Sequence, residues 1–115
     1  MATLNAAATL EQANDFATNW AGSILRVLEG STPLAEHTIT SWSTANSGDN
    51  ATITAVPANG GEATITTTGT ADTVKLVSGS EEITLVIGTD ITLSTTNYIS
   101  GETSTVNSLV ITVPA

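Results

Sequence analysis

The sequence predicts a mainly β fold: a two-sheet antiparallel β-sandwich of about eight strands with a short N-terminal helix. Three observations predict it. Thr and Ser account for 23 and 11 of the 115 residues, and Thr, branched at Cβ, suits a half-buried pleated surface better than a helix. Beyond Gly22, short runs of alternating apolar residues are separated by turn signals at intervals of roughly 8 to 12 residues. The connections between those runs are too short to hold crossover helices, so neighbouring strands must run antiparallel. A chain of this length buries roughly 65% of its unfolded surface, enough for one core. Two segments are expected, an arm and helix over residues 1–21 and the sandwich over 22–115.

The first segment lacks Gly and Pro between Thr3 and Trp20. Thr9-Leu10-Glu11-Gln12 fits a capping box, in which the Thr9 hydroxyl accepts from the Gln12 amide. Leu10, Ala13, Phe16, Ala17 and Trp20 recur at helical spacing. Glu11 and Asp15 favour the N-terminal end of the dipole, and Gly22 is a stop. The expectation is a helix over about residues 10–20, preceded by a loose arm over 1–9.

Ser23–Glu29 reads as a first strand, ended by Gly30-Ser31-Thr32-Pro33. From Leu34 to Trp42, Ala35, His37 and Ile39 alternate with Glu36, Thr38 and Thr40. Ser43–Asn50 holds no apolar residue larger than Ala and reads as an exposed loop. Ala51–Val56 is a strand with Ala51, Ile53 and Ala55 on one face. Pro57-Ala58-Asn59-Gly60-Gly61 reads as a hairpin connection to a returning strand over Ala63–Thr68. Thr73–Ser78 and Glu82–Ile87 form a hairpin about Gly79-Ser80, and Asp90–Ser94 follows the Gly88-Thr89 turn. The last strand is Thr103–Val113, with Thr105, Asn107, Leu109, Ile111 and Val113 on one face and Pro114 as its end. No strict internal repeat points to a solenoid or propeller.

Charge narrows the function. Eleven acidic residues face two basic ones, Arg26 and Lys75, for a net charge of −9. Phosphate contacts and attraction to anionic lipid both need cations that this chain does not offer. No run approaches the ~20 apolar residues of a membrane helix. Met1–Trp20 contains neither Lys nor Arg, so no secretory leader is expected. Cysteine is absent, which excludes disulfides, thiolate metal sites and thiol nucleophiles. The 40% hydrophobic content argues against disorder.

Catalytic patterns are sparse. His37 is the only histidine and alternates with apolar residues, the setting of a packing residue rather than a base; an imidazole metal site needs two or three. Asn46-Ser47-Gly48-Asp49-Asn50 carries one carboxylate where a calcium loop wants several. Glu81 and Glu82 fall on opposite faces of a strand and make a poor acid/base pair. Neither a nucleophile elbow nor a phosphate-binding glycine loop occurs. Enzymatic activity and cofactors are therefore not expected. Phe16 and Trp20 fit a helix closing one end of the sandwich; they, with Leu4 and Leu10, are also the candidate contacts to a partner. A single Lys and three Pro leave little to guard edge strands, which points to assembly with other chains.

These residues resemble a family of small structural proteins of tailed-bacteriophage virions. The resemblance runs through the N-terminal helix, Gly22-Ser23-Ile24-Leu25-Arg26-Val27, the turn and strand Gly30–Glu36, the Ala- and Thr-rich centre, and Thr89–Pro114. It implies a capsid cement or decoration protein, bound to major capsid protein and to copies of itself on the exterior of a virion assembled in the host cytoplasm. Nucleic acid and membrane are not among the implied partners. A tail or head–tail component and an immunoglobulin-like adhesion or sugar-binding module are the alternatives.

Overall fold

A computed structural model describes residues 3–115. It is mainly β, with antiparallel strands and one N-terminal helix. The helix α1 spans Ala6–Asn19 and so begins before residue 10. Asn5 is the N-cap, its side chain accepting from the Ala8 amide at 3.0 Å; Asn caps well and three successive Ala residues favour the first turn. Thr9 therefore lies inside the helix and forms no capping box. Fully buried, its hydroxyl donates to the Asp49 carbonyl at 2.6 Å and ties the helix to a distant turn. Residues 6–9 of the expected loose arm are helix, and residues 1 and 2 lie outside the described residues.

The strands are β1 (Ser23–Glu29), β2 (Thr32–Ser47), β3 (Asn50–Pro57), β4 (Glu62–Thr64), β5 (Gly69–Thr70), β6 (Thr73–Ser78), β7 (Glu81–Leu85), β8 (Ile91–Leu93), β9 (Asn97–Tyr98) and β10 (Thr103–Val113). Eight form one sheet in the order β4-β10-β3-β2-β1-β6-β7, with β8 also paired to β10; β5 and β9 form a second, small sheet. The large sheet bends over its two long strands. His37 on β2 touches Ser104 on β10 although β3 separates those strands in the sheet. Leu25, Leu34, Ile39, Ile53, Leu76 and Leu109 fill the enclosed core.

Three expectations are corrected. Ser43–Asn50 is not a loop: Thr44 pairs with Ile53 and Ser47 with Asn50, leaving only Gly48-Asp49 as the turn. Its polar residues serve the helix, Thr44 donating to the Asn14 side chain and Asn46 to the Ala6 carbonyl at 2.9 Å. Pro57–Gly61 does not reverse the chain, because β3 and β4 both pair with β10 along one lane. Asn59, Gly60 and Gly61 all take positive φ there, kinking the lane, and only Glu62–Thr64 of the expected returning strand is regular. In β10 the register shifts between Val106 and Ser108, so the inward set changes from Ser104 and Val106 to Leu109. Asn107 is exposed and does not share that face; one inserted residue inverts the alternation.

Candidate interaction site

The one histidine of the chain lies in a buried polar cluster. His37 is 3% exposed, on the inward face its alternation predicts. Its Nε2 lies 2.9 Å from Ser104 Oγ, which lies 2.8 Å from the Tyr98 hydroxyl. Burial lowers the His37 pKa and raises that of Tyr98, against a smaller opposing effect of the Ser104 hydrogen bond. Both directions favour neutral forms. A hydroxyl on an imidazole is the contact a nucleophile makes with its base. Here, however, Ser104 is fully buried, and His37 Nδ1 is buried with no hydrogen-bond partner among the described residues to orient the ring. The arrangement joins β2, β9 and β10 inside the core. Sequence reasoning placed His37 correctly and missed Ser104 and Tyr98, which lie 67 and 61 residues away in the chain.

The expected contact residues separate. Phe16 and Trp20 stack with ring centroids 5.3 Å apart, and Phe16 meets Trp42 edge-on at the same distance. The Trp42 indole donates to the Trp20 carbonyl at 2.9 Å. Trp20 is only 8% exposed and Phe16 packs against the core, so this pair fixes the helix and leaves Trp20 little exposed surface. Leu4 and Leu10 remain half-buried on the helix side.

The surface carries two features that chain order conceals. The outward side chains of β2, β3 and β10 form rows: Ser43, Thr54 and Val110, then Ala45, Thr52 and Thr112. Ser41 lies opposite Val56, which is 44% exposed, and Val110 is 39% exposed. No charged side chain occurs in these rows, although the outward positions of β1, β2 and β6 elsewhere in the sheet carry Arg26, Glu36 and Lys75. Arg26 pairs with Glu36 at 2.6 Å and Lys75 with Glu82 at 3.4 Å, so both basic side chains are engaged by carboxylates.

Beside this face lies a cleft of about 380 Å³ between two strand edges. Ile83, Thr84 and Leu85 of β7 form one wall and Val110, Ile111 and Thr112 of β10 the other; Thr89 and Asp90 close one end. Three consecutive residues on each side mean that strand edges, not sheet faces, line it. It exists because β8 is short. β8 pairs with β10 only as far as Leu109, and the chain before it turns away through Gly88-Thr89-Asp90, leaving the rest of that lane empty. Compared with protein-family models, curated proteins and solved structures, the chain matches none.

Proposed function

We propose that this chain is a structural subunit of a bacteriophage virion, a capsid cement or decoration protein that binds major capsid protein on the outside of the shell and stabilises it. The observation that carries the reading is the set of uncharged outward rows that β3 and β10 form with Ser41, Ser43 and Ala45 of β2, within a chain of net charge −9. Burying a charge against another protein is costly unless it is paired, whereas Ser, Thr, Ala and Val can be covered with little penalty. An uncharged face of this kind suits a neighbouring subunit, and the carboxylates elsewhere keep the remaining surface hydrated. The resemblance through Gly22–Val27 and Thr89–Pro114 supports a virion setting.

The test adds the purified chain to undecorated capsids assembled from the major capsid protein of the same genome and images them by electron microscopy. Density is expected over the outer capsid surface. Thr54→Lys should weaken attachment by roughly tenfold or more while leaving the fold intact, since it places an unpaired charge in the contact. Absence of density, or full attachment by Thr54→Lys, would overturn the reading. A second reading, a tail component whose strands continue from subunit to subunit, draws on the free edges of β7 and β10 and predicts density confined to the tail axis.

A further inference from the structure

We propose that the cleft between β7 and β10 is a receptor slot for one extended segment of a cationic partner protein, taken up as an added strand in the lane that β8 leaves empty. This goes beyond attachment through the outer face, and its partner need not be the shell subunit.

The unpaired backbone groups can be assigned from register. β6 and β7 form a two-residue hairpin in which Ser78 pairs with Glu81, and the pair flanking such a turn is hydrogen-bonded. Glu81, Ile83 and Leu85 therefore turn their main-chain groups toward β6, and Glu82 and Thr84 turn theirs away from it, into the cleft. Val86, next in the outward series, is already sealed: its amide donates to the Asp90 carboxylate at 2.8 Å, and its carbonyl accepts from the Asp90 amide at 2.8 Å. This sealing confirms the parity and leaves the edge open only at Glu82 and Thr84. Across the cleft, Val110–Val113 pair with β3 on one side and, among the described residues, with no strand on the other. Five antiparallel steps separate β7 from β10, so the two edges run in opposite directions. An entering strand would be antiparallel to one wall and parallel to the other.

Steric and charge considerations choose the occupant. A second copy cannot readily present its own β7 or β10 edge, because each is one wall of its own cleft. Copies of a −9 chain also repel one another. Both basic side chains here are held by carboxylates, Lys75 by Glu82 itself, while Asp90 lines the slot and Glu81 lies in β7 just beyond it. A strand with apolar or Thr side chains in the slot and Lys or Arg flanking it satisfies both the backbone and the field. Main-chain pairing supplies the affinity in such additions, and side-chain pockets supply selectivity.

The test titrates the full chain with a synthetic Lys-Val-Thr-Val-Thr-Lys peptide and follows backbone amide exchange by NMR. Exchange at Thr84 is expected to slow by roughly tenfold or more at saturation. A Glu-flanked peptide of the same core should bind about tenfold more weakly at low salt, and the difference should shrink in high salt. Thr84→Pro removes an amide that the β6–β7 ladder does not use, so it should abolish binding with the hairpin intact. A spin label on the cationic peptide tests the slot without any substitution and should broaden both Thr84 and Thr112. Unchanged exchange at Thr84, equal affinity for both peptides, or broadening of only one wall would overturn the proposal. So would protection that appears on concentrating the chain alone, which would identify a second copy as the occupant. Loss of peptide binding with capsid attachment retained would leave the proposed function standing.

Discussion

Replacing Ser104 by Ala removes the one hydroxyl that serves both His37 and Tyr98. The side chains are 0%, 3% and 2% exposed, so water cannot replace the lost partner without opening the core. Two hydrogen bonds, at 2.9 and 2.8 Å, disappear, leaving the Tyr98 hydroxyl and both nitrogens of His37 without partners. Each buried polar group so stranded costs about 1–3 kcal/mol. The expected loss is about 2–5 kcal/mol, a large share of the roughly 5–15 kcal/mol typical of a domain. Tyr98→Phe provides the contrast, since it deletes the hydroxyl together with its bond and strands nothing on the ring; about 0.5–1.5 kcal/mol is expected. Ser104→Ala in the Tyr98→Phe background should then cost at least ~1 kcal/mol less than in the parent chain, a coupling that a double-mutant cycle isolates. Urea unfolding at about pH 8, where an ordinary histidine is neutral, measures all four proteins at constant m. A Ser104→Ala cost below ~0.5 kcal/mol, or strict additivity, would refute the reasoning.

Stability should also depend on pH through His37. Burial lowers its folded pKa below 6.5, so the unfolded chain takes up the proton first. The contribution is complete above the unfolded value and is lost as pH falls from about 6.5 toward the folded pKa, with a slope of at most about 1.4 kcal/mol per pH unit. Unfolding midpoints compared between parent and His37→Gln, which does not titrate, would show this slope only in the parent. Gly61→Ala should destabilise by about 2 kcal/mol or more: φ is +87° and an added Cβ would lie 2.6 Å from the Val106 carbonyl oxygen. Gly30→Ala meets open space at φ +60° and should cost about 1 kcal/mol, so equal midpoints would contradict the close approach. Thr9→Val keeps the shape and removes the bond to Asp49; a loss of about 1 kcal/mol is expected, with earlier amide exchange in α1 than in β1.

Local pattern was enough to read the β class, the helix face, the β6–β7 hairpin and the limits of β10, because each follows from the alternation or turn residues of a short stretch. Ala51 and Ile53 point inward as their spacing requires, and Gly22 ends the helix region with φ +79°. The polar end of β2 was hidden because its inward side chains pair with the helix rather than with apolar neighbours. The bulge in β10 was equally hidden, since a single inserted residue leaves no mark in composition yet inverts the face that follows. The Ser104 bridge between His37 and Tyr98, the uncharged rows and the β7–β10 cleft needed tertiary structure. Each is made of residues distant in sequence, brought together by the bending of one sheet, and periodicity within a strand contains no information about which strand will lie opposite.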